Sequence, residues 1–261
     1  PGLDQPPLGE RLMGANDPIL PEAEASDVEN WAFAADEWIA WTRTENHDAY
    51  WAYERAFAGF VGPGRGVCID LGTGEGRVSR TLGELGWRMT LVEPVDALLS
   101  AAKAAASGEA YVAAKANAVP CEAGSFDLVL LYNVLMDVDD LAETAQEAAR
   151  LCHPDGRVIV SIVHPILDVV HGLENGPLDP PYSVAHKVAE TFTQGGLEMR
   201  FAGWRRPMSA YVAALSAAGL AITAMAEPRP DPDHPKTATL TRGPTLPVFL
   251  WLEARLMDAR A

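Results

Sequence analysis

The stretch that most constrains this chain is Val67-Cys68-Ile69-Asp70-Leu71-Gly72-Thr73-Gly74-Glu75-Gly76-Arg77. A short apolar run reads as a buried strand, three alternating glycines allow a tight turn, and a helix is predicted to follow. Strand, glycine turn and helix in that order open a βαβ unit in which a ligand meets the backbone where a Cβ would collide. Two acids frame the turn. Asp70 precedes Gly72 by two residues at the strand end. Glu93 ends the next apolar run, 21 residues after Gly72, where a carboxylate can accept both hydroxyls of a ribose. The glycines alone do not separate a dinucleotide from other nucleoside ligands. Asp70 does, because its charge repels a pyrophosphate and suits a cation. No Walker lysine or second phosphate cradle follows.

From residue 61 the pattern alternates. The spacing predicts strands near 66–71, 89–93, 110–113, 127–133 and 156–163, with helices over 76–86, 95–107 and 140–152. Apolar runs separated by helical patterns indicate βαβ units and a parallel sheet. Residues 164–206 break this rhythm and read as an insertion, with a hairpin around Gly195-Gly196. A helix over 207–218, a strand over 220–227, a proline-rich loop over 228–247 and a strand over 248–255 complete the chain. Before the sheet, residues 1–25 read as an arm and 26–60 as two cap helices. Ser26 and Glu29 have capping-box spacing. Trp31, Trp38 and Trp41 share one stripe, with core packing against the sheet domain expected, and Tyr50, Tyr53, Phe57 and Phe60 share another. The expected organisation is therefore an arm and helical cap over 1–60 and an α/β domain over 61–261.

Charge bounds the partners. The chain has 261 residues and a net charge of −16, and residues 1–60 hold 12 acids against 3 bases. Such a chain repels phosphate backbones, so nucleic acid is not an expected partner. No run of about 18 apolar residues suits a membrane span. Three cysteines, Cys68, Cys121 and Cys152, form no CxxC pair and read as thiols of a cytoplasmic protein. A small-molecule ligand and a monomer or homodimer are expected.

The residues Asp70–Gly76 resemble motif I of class I S-adenosylmethionine-dependent methyltransferases, and Leu91-Val92-Glu93-Pro94 resembles motif II. Ala116-Asn117-Ala118-Val119-Pro120 with Gly124–Leu130 is similar to the segment that family places around adenine and the fourth strand. Pro154-Asp155-Gly156 is similar to its turn into the fifth strand. The resemblance spans about residues 60–163, with a looser likeness to ubiquinone/menaquinone-type enzymes near Pro207–Tyr211. It implies a Rossmann-like, seven-stranded, mostly parallel sheet with a reversed last strand. It also implies methyl transfer from S-adenosylmethionine, whose ammonium and sulfonium agree with Asp70. The implied donor contacts are Asp70, Gly72, Thr73, Gly74, Glu75, Gly76, Glu93, Pro94, Ala116, Asn117, Ala118, Tyr132 and Asn133. The sequence departs from the family at Lys115, where an Asp is common; Lys115 is expected to face solvent.

On the acceptor side, His164 ends the fifth strand before Pro165 and is the first candidate base, with His47 second. Asp48 either orients His47 or caps the second helix. Trp41, Tyr50, Trp51, His164, Tyr182 and Trp204 are candidate substrate contacts. Asp137, Asp139 and Asp140 are read as loop and helix-cap acids, not a metal site. Asp179-Pro180-Pro181-Tyr182 looks like the signature of adenine and glutamine N-methyltransferases but stands some fifty residues beyond its place there, and is read as a turn. The expected substrate is a small hydrophobic or aromatic metabolite. The rival readings are an NAD(P)-dependent oxidoreductase, disfavoured by Asp70 and by the lack of a Tyr-x-x-x-Lys pair, and a donor-binding protein without transfer.

Overall fold

The computed structural model describes residues 25–174, 177–235 and 246–257; most of the N-terminal arm expected over 1–25 lies outside them. Helix α1 (Asp27–Arg43) starts at a complete capping box, with Ser26 accepting from the Glu29 amide and Glu29 accepting from that of Ser26. Helix α2 (Tyr50–Val61) follows, and Asp48 accepts the Tyr50 amide at its start. Then come β1 (Val67–Leu71), α3 (Arg77–Glu84), β2 (Arg88–Val92), α4 (Asp96–Ala104), β3 (Ala110–Val112), β4 (Phe126–Tyr132), α5 (Leu141–Leu151) and β5 (Cys152–Val163). Helix α6 (Ile166–Glu174) leads to a two-stranded hairpin of β6 (His186–Gln194) and β7 (Leu197–Arg205). Helix α7 (Met208–Ala217), β8 (Leu220–Ala226) and β9 (Phe249–Leu256) return the chain to the main sheet.

That sheet has the order β3-β2-β1-β4-β5-β9-β8. Strands β1 to β5 pair in parallel, and β9 runs antiparallel to both β5 and β8. The seven-stranded Rossmann-like architecture with a reversed last strand is therefore the observed one. The central strands are apolar on both sides because helices cover both faces. One face packs Ala145, Ala148, Leu151, Tyr211 and Leu215 of α5 and α7 on Val129, Leu131 and Val160. The other packs Tyr50, Tyr53 and Phe57 of α2 and Val78 and Leu82 of α3 on Leu128, Leu130 and Trp251. Fully burying a side chain such as Phe57 stabilises the fold by about 1.5–3 kcal/mol.

Two expectations need correction. The 164–206 segment contains a helix, α6, where a break in the pattern was read; Ile166, Val169, Val170 and Leu173 have helical spacing, and Pro165 stands where it removes no helical hydrogen bond. The tryptophan stripe of α1 packs on the α/β domain as expected, through the hairpin and α4: Trp41 and Ala34 bury against Met199, and Trp31, Trp38 and Ile39 flank Val95 and Leu98. Helix α5 begins after Asp140 without a side-chain cap: the Asp140 carboxylate accepts from Asn117, and that of Asp139 is committed to Trp204 and Lys187.

Candidate active site

The loop between β1 and α3 lies at the carboxyl ends of the parallel strands, where open α/β sheets take ligands. The Gly72 and Thr73 amides donate to the Val92 carbonyl, at 2.8 and 3.0 Å, which ties the loop to the end of β2. Gly74 and Gly76 have φ of 59° and 86°. A Cβ on Gly76 would fall 2.5 Å from the Ser107 side chain, so only glycine closes this turn. A Cβ on Gly74 would stand 3.4 Å from the Trp38 indole nitrogen, so α1 lies directly over the loop.

Asp70 and Glu93 face this loop from β1 and β2. Asp70 is buried, and its Oδ2 accepts from Ser79 (2.5 Å) and Thr73 (2.9 Å). Burial pushes its carboxyl up to about 6, against the opposing pull of those two donors and Arg77. The Glu93 oxygens accept the amides of Gly74 (2.9 Å) and Val95 (3.0 Å). Burial again dominates and raises Glu93 to about 7, with the Asp70 charge adding to it. Among the described residues neither acid has a cation within ion-pair distance. Buried carboxyls without a counter-ion suit a cationic ligand, and each Glu93 oxygen retains a lone pair for a ribose hydroxyl. The residues present therefore fit S-adenosylmethionine and oppose a pyrophosphate.

The other charges of the loop are spent internally. Glu75 is fully buried and held by both oxygens on Arg80 Nη2, each at 3.0 Å. Arg77 is buried beneath Trp38 and Tyr50 and pairs with Asp48 at 2.5 Å. Asp48 thus anchors Arg77 and α2 and does not orient His47. Pro94 is half-buried beside Glu93, and Ala116 is buried while Ala118 is exposed. Asn117 gives its side-chain N–H groups to Glu143 and Asp140, so its side-chain oxygen and its backbone remain for an adenine. Lys115 is mostly exposed near Asp27, as expected. At the end of β4, the Tyr132 ring packs on Tyr50, Phe57 and Phe249, and its buried hydroxyl finds no hydrogen bond of good geometry. An orphaned buried hydroxyl is a natural partner for a ligand polar atom. Asn133 holds a left-handed turn and accepts from the Ser161 hydroxyl.

Both candidate bases are corrected. His164 is buried; its Nδ1 accepts the Ile166 amide and its Nε2 donates to Glu227, each near 3 Å, so no lone pair is left for a substrate proton. The two nitrogens of His47 meet the carbonyls of Glu45 (3.1 Å) and Gln194 (2.9 Å), joining the end of α1 to the hairpin turn. Tyr50 and Trp41 are also corrected from substrate contacts to buried packing residues, Tyr50 with its hydroxyl on Thr81. Trp51 donates to the Thr42 carbonyl beside a shallow cavity that also meets His234. Tyr182 lines a second cavity of about 250 Å³, formed by α6, the loop after it and the base of the hairpin. Trp204 lies next to that cavity between Lys187 and Arg206 and donates to Asp139.

One residue read only as a loop acid, Asp137, and one that escaped the sequence reading, Arg206, stand near this cavity. Asp137 sits in the loop after β4, and burial pushes its carboxyl well above the ordinary range despite Arg206 nearby. Arg206 lines the cavity beside Tyr182 and is buried. An arginine beside another arginine and a proline reads as surface, so only the fold exposes its role.

Residues 69–160 match the model of a family described as a methyltransferase domain. No curated protein matches the chain. Solved structures share its fold. An S-adenosylmethionine-dependent methyltransferase of Mesorhizobium loti is 23% identical with a TM-score of 0.57, covering 80% of this chain and 98% of its own. The CcbJ methyltransferase of Streptomyces caelestis is 18% identical with a TM-score of 0.59, covering 90% and 99%. The 1,6-didemethyltoxoflavin-N1-methyltransferase of Burkholderia thailandensis, solved with 1,6-didemethyltoxoflavin and S-adenosylhomocysteine, is 21% identical with a TM-score of 0.55, covering 94% of each. Identities this low speak for the fold; the match to a methyltransferase domain over residues 69–160 falls on the very strands that carry the glycine loop and its two acids, and it supports a class I S-adenosylmethionine-dependent methyltransferase.

Proposed function

We propose that this enzyme methylates a small hydrophobic or aromatic metabolite in the cytoplasm. The observation that carries the reading is the cap. Helix α1 and the β6–β7 hairpin pack on one another over the glycine loop, and the hairpin base, α6 and the loop after it leave a cavity of about 250 Å³ lined in part by Val169, Leu178, Pro180 and Tyr182. A space of that size, walled by apolar and charged side chains alike, admits a metabolite, not a nucleic acid strand. The Asp179–Tyr182 turn belongs to this wall, away from the end of β4. The Burkholderia enzyme of like fold binds a small acceptor of this kind, 1,6-didemethyltoxoflavin. Three free thiols agree with a reducing compartment, and no described helix is long and apolar enough to cross a membrane.

Asp70, Gly72, Thr73, Gly74, Glu75, Gly76, Glu93 and Pro94 would hold the donor's amino-acid and ribose portions, with Ala116–Ala118 at the adenine and Tyr132 and Asn133 toward the methionine end. When bound, the donor supplies a methyl group already activated by its positive sulfur. The chain's part is alignment and exclusion of water under α1, since both nitrogens of His164 are hydrogen-bonded and those of His47 face the Glu45 and Gln194 carbonyls. Calorimetry tests the reading: S-adenosylhomocysteine should bind in the micromolar range and NAD should not. Tight NAD binding without S-adenosylhomocysteine binding would overturn it, as would retention on DNA resin at physiological salt.

A further inference from the structure

We infer that the cavity between α6 and the hairpin base binds a carboxylate of the methyl acceptor, with Arg206 as its anchor; this rests on the methyltransferase reading above and names the acceptor class. Arg206 is 7% exposed and lines the cavity. Its hydrogen bonds go to neutral groups, the carbonyls of Leu135 (2.8 Å), Val138 (2.7 Å) and Asp139 (3.3 Å), with the Tyr211 hydroxyl alongside. Trp204 stacks on the guanidinium at 4.7 Å. Among the described residues no carboxylate lies within ion-pair distance of it.

Buried charges are normally paired, since the interior repays their desolvation only through a counter-ion. The nearby acids do not serve. Asp139 is taken by Lys187 at 2.8 Å. Asp168, also in the cavity wall, pairs with Arg205 at 3.2 Å, and Glu190 pairs with Arg205 as well. Asp137 is held toward its neutral form by burial. Arg206 therefore stands at the cavity floor without an ion-pair partner among the described residues, in a lining that also holds Asp168 and Asp179. Arginine holds a carboxylate through parallel N–H donors, and its stacking on Trp204 fixes the plane they share. The apolar wall of Val169, Leu178, Pro180 and Tyr182 suits the ring of an aromatic acid. Carbonyl bonds from Arg206 to the β4–α5 loop tie this floor to the strand end beside the donor site.

The test uses the full chain saturated with S-adenosylhomocysteine and two probes of one shape, 4-hydroxybenzoate and 4-hydroxybenzamide. Calorimetry or saturation-transfer NMR should show the acid binding at least about tenfold more tightly than the amide, a charge-assisted margin. Arg206→Gln should erase that preference. Val169→Trp, which fills the cavity from α6 without touching Arg206, should block the acid and leave S-adenosylhomocysteine affinity unchanged. Should Arg206→Gln fail to fold, the acid–amide comparison and Val169→Trp still decide. Equal binding of acid and amide, no binding of either at millimolar concentration, or acid binding that survives Val169→Trp overturns the inference. Acid binding in a protein that rejects S-adenosylhomocysteine would instead overturn the donor reading and leave this one standing.

Discussion

The donor loop and the cap are built on opposite plans. The donor loop is local: Asp70 to Gly76 are consecutive, and Glu93 joins them from the next strand through a hydrogen bond spanning 19 residues. The cap is assembled from distant segments. Glu37 pairs with Arg200 across 163 positions, His47 meets the Gln194 carbonyl across 147, and Asp27 exchanges backbone–carboxylate bonds with Asp139 across 112. Apolar packing divides the same way, since Trp41, Ala34 and Met199 form a small core apart from the two large ones on the sheet. A binding loop encoded in one stretch stays in place whatever covers it, whereas the cover can change its walls and hence its acceptor.

The largest effect that would break this contrast is loss of the cap core. Trp41→Ala should cost about 3–5 kcal/mol, as for a buried aromatic. Hydrogen exchange should show protection falling in α1, β6 and β7 while β1, β4 and β5 keep theirs. Equal loss throughout would mean that cap and sheet unfold as one unit. Next comes Glu93→Ala, which removes the proposed ribose acceptor and an anchor of the Gly74 amide. Charge-assisted hydrogen bonds are worth about 1.5–3 kcal/mol, so S-adenosylhomocysteine should bind about 10- to 150-fold more weakly. An unchanged dissociation constant in calorimetry would remove Glu93 from the site. A smaller effect is expected at the join of the two regions. His164→Ala strands the Ile166 amide, at a cost of about 1–3 kcal/mol, while Glu227 recovers water because it is half exposed. Denaturant unfolding should show that loss, and turnover with any accepted substrate should fall less than about tenfold. A loss of about 10²–10⁴ in turnover would restore His164 as a general base.

The sequence was legible wherever a function required consecutive residues. Glycines at alternate positions and acids at strand ends carry their reason locally, so the loop, the sheet and Glu93 could be read before any fold was seen. Legibility failed where a side chain's role depends on a distant neighbour. His164 has the right position for a base, but the residue that occupies its Nε2 is Glu227, 63 positions away. Tyr50 and Trp41 read equally well as walls of a pocket or as core, and only the docking of α2 on the sheet and of α1 on the hairpin decides. Helix α6 was hidden by the glycines and prolines that follow it, although the spacing of Ile166, Val169, Val170 and Leu173 announces it. Arg206 is the extreme case, since nothing in its neighbours along the chain distinguishes it from a solvated arginine.

The gentlest prediction concerns pH, and it sharpens the contrast because the two raised carboxyls belong to the donor loop alone. Asp70 rises from 3.8 to about 6 and Glu93 from 4.5 to about 7 in the folded protein, each through burial. Between pH 4 and 7 the ligand-free fold therefore binds more protons than the unfolded chain, so its stability falls as pH rises through that window. These groups contribute most below about pH 4 and least above about pH 7. Ligand binding has the opposite sign. The ammonium of S-adenosylhomocysteine and its ribose hydroxyls favour the ionised carboxylates, so binding should release protons and tighten with rising pH, by at most about tenfold per unit per carboxyl. Calorimetry from pH 5.5 to 8, in two buffers of different ionisation heat, reads both quantities. The affinity should climb through about pH 7 and then level off, and the thermal shift given by the ligand should be larger at pH 8 than at pH 5.5. Glu93→Gln should remove the upper inflection and leave the one near 6 that belongs to Asp70. A flat profile with no proton release would mean that both acids are already ionised without ligand, and that the cation lies elsewhere than between β1 and β2.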